Sequence, residues 1–322
     1  MLAVQAVRAG GPEVLEAVEI DRPAPAAGQI LIRHAAIGLN FIDTYQRAGL
    51  YPMRYPAVLG QEGAGLVEAV GEGVDRFKPG DRVAYSGQGG AYAEFHAIPA
   101  ARAVALPDSI SFETAAACLL KGMTTEFLVR RCHALKAGET ILVHAAAGGV
   151  GTLLVQWAKS LGATVIGTVG SEEKAALVRA LGCDHVILYR DEDIAERVKA
   201  ITGGAGVAVG YDSVGKDTFE ATLASLSRRG LFVSFGNASG PAPALEPLRL
   251  MRGGSLFLTR PTLADYTATP AELDESSSAL FAMIGSGGLR IEIGQRFKLA
   301  DARQAHEALE SRGTIGASVL MP

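Results

Sequence analysis

Residues 140–151, Thr-Ile-Leu-Val-His-Ala-Ala-Ala-Gly-Gly-Val-Gly, end an apolar run in a glycine-rich turn, and a segment of helical character follows from Thr152. A dinucleotide pyrophosphate requires this order of strand, glycines and helix, because glycines let the backbone approach the phosphates and a helix N-terminus offers unpaired N–H groups. Gly148 and Gly149 allow that approach, and Gly151 permits close packing of the helix on the strand. Ala146 stands where the first glycine is usual, and a turn that only packs tightly is the alternative interpretation.

Strands and helices continue to alternate outward from this motif to about residue 260. Segments with helical periodicity, such as Glu172–Leu181, separate the apolar runs. This alternation predicts an α/β domain over residues 122–260, a doubly wound, six-stranded parallel sheet of the Rossmann type. The predicted strands lie near Ile141–His144, Thr164–Thr168, Val186–Tyr189, Val207–Tyr211, Leu231–Phe235 and Leu256–Thr259.

The two ends of the chain have a different pattern. Up to about Leu106, glycine and proline separate short apolar alternations such as Ile30–His34, which is typical of a β-rich, barrel-like domain. After Pro261, two helices and a strand are predicted at Ala271–Ser286, Ala300–Ser311 and Ala317–Leu320. A tail of about 60 residues is too small for a core of its own. We therefore expect a first domain over residues 1–121 and a segment, residues 261–322, that returns to it.

The end of the second predicted strand indicates which dinucleotide is bound. Enzymes that use NAD place an acidic residue about 20 positions after the glycine motif, where it binds the ribose 2′-hydroxyl. Here the strand ends in Val169 and Gly170, and Ser171 and Lys174 follow. A missing acid beside a cation favours a 2′-phosphate and predicts NADPH. Ser171 also suits a helix N-cap, and the two roles are compatible.

Composition and charge exclude several classes of protein. The 322 residues include 30 basic and 34 acidic side chains, for a net charge of −4. Without a cluster of lysine and arginine, no basic face for nucleic acid is expected. The N-terminus lacks a signal-peptide pattern, and glycines interrupt the longest uncharged run, residues 140–158, so no membrane span is expected. Three scattered cysteines predict a reduced, cytoplasmic setting.

Further motifs occur in a characteristic order along most of the chain. With them the chain resembles the medium-chain dehydrogenase/reductase superfamily and, within it, the zinc-free quinone oxidoreductase branch that includes zeta-crystallin. The resemblance implies a GroES-like β-barrel catalytic domain built from both chain ends, and a Rossmann domain that binds the cofactor. The motifs are Gly11-Pro-Glu-Val-Leu15, Ile37-Gly-Leu-Asn-Phe-Ile-Asp-Thr-Tyr45, Gly60-Gln-Glu-Gly-Ala-Gly65, Val70-Gly-Glu-Gly-Val74, Pro79-Gly-Asp-Arg-Val83, His144-Ala-Ala-Ala-Gly-Gly-Val-Gly151 and Tyr211-Asp-Ser-Val-Gly215.

Zinc-dependent members of that superfamily hold their catalytic metal with a cysteine, a histidine and a cysteine. The resemblance aligns Asn40, Gln61 and Lys121 with these three positions, and residues 83–92, where those relatives carry a structural zinc site, contain no cysteine. Two amides and an ammonium do not make a zinc site, so we expect no metal. Without a Lewis acid, the acceptor must spread the incoming negative charge itself, as quinones and enones do.

The resemblance implies that Asn40 and Tyr45 are the catalytic residues. Asn40 would hold the substrate carbonyl, and Tyr45 would donate a hydrogen bond or a proton to the reduced oxygen. The alternative for Tyr45 is a wall residue that only packs against the substrate, since a hydroxyl with a pKa of about 10 is a slow acid at neutral pH.

The residues that contact NADPH are also implied by the resemblance. Phe127 stands where a tyrosine is expected, which weakens the case for a hydrogen bond there, and Tyr189 has the alternative role of a core aromatic. The implied cofactor-binding residues are Phe41, Ile42, Asp43, Thr44, Tyr45, Thr124, Phe127, Gly149, Val150, Gly170, Ser171, Lys174, Tyr189, Ser213, Phe235, Gly236, Asn237, Ala238, Thr259, Arg260, Pro261 and Arg312.

The last predicted strand, Leu256–Leu258, would leave a sheet edge exposed. Pairing with a twofold-related copy would cover that edge, so a homodimer is predicted. Together, these patterns predict an NADPH-dependent, metal-free reductase of small-molecule quinones. An enone or alkenal reductase on the same scaffold is the alternative among enzymes, and a crystallin-like structural or RNA-binding protein is the alternative outside them.

Overall fold

The computed structural model of the chain describes residues 1–311 and 313–322. It divides into two compact units. The β-rich unit comprises Met1–Met123 and Thr267–Pro322, and the parallel-sheet unit comprises Thr124–Tyr266. Within the described residues, no helix has the length and apolar character needed to cross a membrane.

The helices and strands follow in chain order. Up to the end of the second helix they are β1 (Leu2–Ala6), β2 (Leu15–Glu19), β3 (Gln29–Leu39), α1 (Phe41–Ala48), β4 (Ala57–Val58), β5 (Glu62–Val70), β6 (Arg82–Ser86), β7 (Phe95–Pro99), β8 (Ala103–Ala105) and α2 (Phe112–Phe127). The parallel-sheet unit continues with β9 (Thr140–Val143), α3 (Gly149–Ser160), β10 (Thr164–Val169), α4 (Glu172–Ala180), β11 (His185–Leu188), α5 (Ile194–Ile201), β12 (Val207–Asp212), α6 (Phe219–Ser225), β13 (Leu226–Ser234), α7 (Pro247–Arg252), β14 (Phe257–Thr259) and α8 (Leu263–Tyr266). The chain closes with α9 (Pro270–Gly285), β15 (Ile293–Lys298), α10 (Ala302–Glu310) and β16 (Ala317–Met321).

The predicted Rossmann-type sheet is confirmed. Among the described residues the sheet has six strands in the order β11-β10-β9-β12-β13-β14, and every neighbouring pair is parallel. Its central strands are buried apolar runs, because helices cover parallel sheets on both faces. The carboxyl ends of β9, β10 and β12 therefore meet at one edge of the sheet, which is where ligands bind in such folds.

The start of the fifth strand of the parallel sheet differs from the sequence-based prediction. Leu231–Phe235 was expected, whereas β13 spans Leu226–Ser234. The pairing of β12 with β13 shifts register between Val207 and Val209, and Arg229 has a positive φ of 62°. A bulge of this kind interrupts the apolar periodicity on which the prediction depended.

In the β-rich unit, the C-terminal strand lies beside a strand from the start of the chain. The described residues form a seven-stranded sheet in which β15, β16, β3, β5, β6 and β8 are neighbours in this order and β7 pairs with β3. Val319 and Leu320 of β16 pair antiparallel with Gly38 and Ile37 of β3. Because β3 leads directly into α1, the tail supports the strand that positions the start of that helix.

Candidate active site

The glycine turn after β9 forms the N-terminus of α3, as an anion site requires. Gly149 and Val150 are the first residues of the helix, and the N-cap, Gly148, has no side chain to occupy the first-turn N–H groups. A Cβ on Gly151 would lie 2.2 Å from the carbonyl oxygen of Ala145. Glycine is therefore required there for the close approach of helix and strand, and the helix N-terminus is left open to a phosphate.

Four of the expected cofactor residues meet at the end of β10. Ser171 caps α4 and accepts a hydrogen bond from the Lys174 amide at 3.4 Å. A Cβ on Gly170 would lie 2.6 Å from the hydroxyl oxygen of Tyr189, so that ring lies directly over the glycine. Tyr189 is 37% exposed, which excludes a role in the core. The Arg190 Nε lies 3.4 Å from the same Cβ position, and the sequence interpretation missed this cation.

The carboxyl ends of the last three strands bring together a further group of expected residues. The Phe235 amide donates to the Asp212 carbonyl oxygen at 2.8 Å, and the Ala238 amide donates to the Ser213 carbonyl oxygen at 3.2 Å. Arg260 donates to the Gly236 carbonyl oxygen at 3.0 Å. Thr259, Pro261 and Asn237 belong to the same two connections, so the expected segments 235–238 and 259–261 lie together.

A buried polar network lies under these connections and was not anticipated. The Asp212 carboxylate accepts from the backbone amides of Val214 and Gly215 at 2.7 and 3.0 Å. Its second oxygen accepts from the Thr222 hydroxyl at 3.2 Å, and the Thr222 oxygen lies 2.9 Å from Nε2 of His144. His144 immediately precedes the glycine turn, so the network links that turn to the loop after β12.

The remaining expected residues of the parallel-sheet unit lie near the start of its chain. Thr124 is half-buried in α2. Phe127 is 1% exposed and stacks on Tyr266, with 4.3 Å between ring centroids. Its ring therefore packs inside this unit. Arg312 lies outside the described residues.

In the β-rich unit, α1 presents the expected catalytic segment. Phe41, Ile42 and Tyr45 are half-buried, whereas Asp43 and Thr44 are buried. The Tyr45 ring lies 6.3 Å from Phe41 and 5.6 Å from Tyr51, measured between centroids. Burial raises the pKa of Asp43 to about 7, although the backbone amide of Asn40 and the hydroxyl of Tyr92 donate to its carboxylate.

Two of the three residues that align with the zinc ligands of zinc-dependent relatives meet on one buried carboxylate. Asn40 Nδ2 donates to Glu62 Oε2 at 2.9 Å, and Lys121 Nζ lies 3.4 Å from the same oxygen. Gln61 instead donates to Gln46 at 3.0 Å. Two amides and an ammonium do not fit a zinc ion, and the described residues contain no group of three metal-binding side chains.

Glu62 is the functional candidate that sequence reasoning missed. It lies inside the quoted motif Gly60-Gln-Glu-Gly, and its side chain is fully buried. A charged residue that is followed by a run of small and apolar residues, Gly63–Val67, is the signal that could have identified it, because acidic residues are rarely buried without a partner.

Models of two protein families match the chain and define its class. The alcohol dehydrogenase GroES-like domain matches residues 26–108, and the zinc-binding dehydrogenase model matches residues 149–273. The first match confirms the GroES-like fold expected for the β-rich domain. Together they define a two-domain dehydrogenase/reductase. The second family is described as zinc-binding, but Asn40, Gln61 and Lys121 of this chain do not suit that metal.

Individual relatives narrow this class. A quinone oxidoreductase of Salmonella typhimurium is 53% identical over 317 residues, covering 97% of each chain, and a 2-haloacrylate reductase of a Burkholderia species is 44% identical over 326 residues, covering 97% of this chain and 96% of that protein. The crystal structure of Escherichia coli quinone oxidoreductase complexed with NADPH aligns over 100% of both chains, with a TM-score of 0.98 and 50% identity. The chain belongs to the quinone oxidoreductase family of the medium-chain dehydrogenase/reductases.

Proposed function

We propose that this protein is an NADPH-dependent quinone reductase that works without a metal ion. One observation carries the choice of cofactor: the end of β10 has Gly170, Ser171 and Lys174 where an NAD enzyme has an acid. An acid there would bind the ribose 2′-hydroxyl, and a cation with a hydroxyl suits a 2′-phosphate. The relatives named quinone oxidoreductase, one of them solved with NADPH, support the same conclusion.

The parallel-sheet unit would hold the cofactor. The N–H groups at Gly149 and Val150 would bind the pyrophosphate, helped by the helix dipole. Ser171, Lys174 and Tyr189 would surround the 2′-phosphate. Further proposed contacts are those of Thr124, Phe127, Gly170, Ser213, Phe235, Gly236, Asn237, Ala238, Thr259, Arg260, Pro261 and Arg312 in the sequence, with Phe41, Ile42, Asp43, Thr44 and Tyr45 from the β-rich unit.

The residues of the β-rich unit would orient the acceptor. Bound NADPH would supply a hydride, which carries two electrons, and with one proton this converts a quinone to a hydroquinone. The Asn40 amide would hold one quinone oxygen, and the Tyr45 hydroxyl would donate a hydrogen bond to the oxygen on which negative charge develops. Stabilisation by donors that are already oriented is how a protein without a Lewis acid lowers this barrier.

Steady-state oxidation of NADPH and NADH against a panel of quinones and enones tests this function. We expect kcat/KM with NADPH to exceed that with NADH by about 100-fold, and quinones to be reduced faster than enones. The haloacrylate reductase relative makes an activated alkene the second candidate substrate, so faster enone reduction would replace the quinone assignment. Equal use of both cofactors would contradict the role of the β10 end.

Tyr45→Phe separates the two roles of that residue. Loss of one hydrogen bond to the reacting oxygen is expected to lower kcat about 10-fold. Because phenylalanine keeps the ring contacts with Phe41 and Tyr51, an unchanged kcat would show that Tyr45 only packs against the substrate.

We also propose a homodimer formed through the sheet edge of β14. This strand is the last of the parallel sheet, and Phe257 is 59% exposed beside Leu258 at 39%. On α7, Leu248 and Met251 are also exposed. An apolar edge strand of this kind is a template for pairing, and a second copy would cover the strand and its exposed apolar side chains.

We further infer a cytoplasmic setting. Cys118, Cys132 and Cys183 are free, and burial raises the pKa of the Cys183 thiol to about 11. Thiols that remain protonated and unpaired suit a reducing compartment.

A further inference from the structure

Glu62 occupies a space that the neighbouring strand leaves for it. It is the first residue of β5 and pairs across the sheet with Gly38 of β3. A Cβ on Gly38 would lie 2.4 Å from Glu62 Oε2 and 2.2 Å from the Ala116 carbonyl oxygen. Glycine at position 38 therefore makes room for the carboxylate, which is 0% exposed.

Among the described residues, three donors surround this carboxylate. The Leu120 amide donates to Oε1 at 2.6 Å. Asn40 Nδ2 donates to Oε2 at 2.9 Å, and the ammonium of Lys121, itself 6% exposed, lies 3.4 Å from Oε2. Burial raises the pKa of Glu62, and the Lys121 ammonium acts against that shift. An environment of donors that includes a buried cation favours the ionised carboxylate, which only accepts hydrogen bonds.

The hydrogen bond from Asn40 to Glu62 fixes which side of the Asn40 amide carries the nitrogen and which carries the oxygen. With Nδ2 held by Glu62, the amide cannot rotate to exchange its nitrogen and oxygen without placing Oδ1 against a carboxylate. Asn40 is also the N-cap of α1, and its backbone amide donates to Asp43 at 2.8 Å. Both its backbone and its side chain are therefore fixed.

We propose that Glu62 is a positioning residue, whose carboxylate, paired with Lys121, holds the Asn40 amide in the orientation used to bind the quinone oxygen. This role rests on the function proposed above for Asn40. In this proposal the ammonium–carboxylate pair acts on the substrate only through Asn40.

Glu62→Gln tests the positioning role, because either orientation of the new amide turns an NH2 group towards a donor. We expect kcat with NADPH and a quinone to fall 10- to 100-fold, with the dissociation constant for NADPH, measured by fluorescence without quinone, within about twofold of the wild type. An unchanged kcat in a folded E62Q protein overturns the positioning role.

The double variant Glu62→Gln, Lys121→Met separates positioning from stability. It removes both buried charges. We therefore expect the midpoint of thermal unfolding, which E62Q lowers, to return towards the wild-type value while kcat stays low. If the ion pair served stability alone, kcat would recover together with the midpoint, which would overturn the positioning role. Should E62Q fail to fold, the double variant alone decides between these outcomes, since it buries no unpaired charge.

A double-mutant cycle of Glu62→Gln and Asn40→Ala distinguishes this inference from the proposed function. If Glu62 acts through Asn40, adding E62Q to N40A is expected to change kcat less than twofold. Fully additive losses would overturn the positioning role. If N40A alone leaves kcat unchanged, the proposed role of Asn40 fails and the inference fails with it. A low kcat in N40A with wild-type kcat in E62Q overturns only the inference about Glu62.

Discussion

At the scale of single residues, the proposed choice between a 2′-phosphate and a 2′-hydroxyl depends on the end of β10. Gly170 brings the backbone under Tyr189, and Ser171 both caps α4 and presents its hydroxyl. Lys174, at the third helical position, adds a positive charge on the same side as Ser171, because positions three apart are neighbours on a helix. These residues lie close together in the chain, which is why the sequence alone suggests the proposal.

Lys174→Met is expected to raise the dissociation constant for NADPH about 10-fold and leave that for NADH within twofold. A charge-assisted hydrogen bond to phosphate contributes about 1.5–3 kcal/mol, and NADH lacks the 2′-phosphate. Fluorescence titration of both cofactors measures the difference. Lys199→Met on α5, which removes an equally positive exposed side chain, is the control. A similar loss for both cofactors, or in the control, would contradict the assignment.

At the scale of elements, a buried hydrogen-bonded chain links α1 to the C-terminal helix α10. Arg47, 2% exposed, donates to His306 Nδ1 at 2.9 Å and to Glu310 at 2.7 Å. The other ring nitrogen of His306 lies 3.0 Å from the Tyr92 hydroxyl, which donates to Asp43. Because an arginine is always a donor, His306 accepts at Nδ1 and must be neutral. The last helix of the chain therefore helps to fix the helix that carries Tyr45.

His306→Gln is expected to make the free energy of unfolding less dependent on pH. Burial lowers the pKa of His306 to about 3, against about 6.5 in an unfolded chain. Between these values the unfolded wild type binds the extra proton, so its stability falls as the pH falls. The variant should lose up to about 1.4 kcal/mol per pH unit of that slope between about pH 6 and 4, as measured by urea unfolding.

Two comparisons sharpen the measurement. Burial raises the pKa of Asp43 to about 7, which makes its contribution to stability fall as the pH rises from about 4 to 7, opposite in sign to that of His306. Asp43 is present in both proteins, so its effect largely cancels in the difference. Replacing an exposed histidine, His185→Gln, is the control. Equal slopes in H306Q and the wild type would show that His306 is charged in the folded protein.

At the scale of the whole molecule, the exposed edge of β14 decides the proposed assembly. The strand pairs with β13 through Phe257–Thr259, and its residues Phe257 and Leu258 are exposed, as are Leu248 and Met251 of α7. Burying a phenylalanine side chain contributes about 1.5–3 kcal/mol, and two copies would each contribute one.

Phe257→Asp is therefore expected to convert the dimer to a monomer, because two carboxylates would face each other in place of two apolar rings. Light scattering coupled to size exclusion measures the mass. Leu50→Asp, a similar change at a 40% exposed leucine of the β-rich unit, should leave the dimer intact. A wild-type protein with the mass of a monomer would exclude this assembly.

The sequence by itself determined the parallel sheet, the glycine turn that opens α3 and the expectation of NADPH. These depend on periodicity and on residues close together in the chain, such as Gly148 to Gly151 and Gly170 to Lys174, whose conformations follow from local sterics and capping. The bulge at Arg229 was not predictable in this way, because it depends on how two strands pair.

Only the tertiary structure decided which polar residues act together. Glu62 lies 22 positions from Asn40 and 59 from Lys121, and His306 lies 259 positions from Arg47. Each of these side chains, taken alone, has no periodic pattern that indicates a partner. They meet because β5 pairs with β3 and because the C-terminal segment returns to the first strands. Burial then requires every charge to find a partner, and those partners are selected by the packing of the fold.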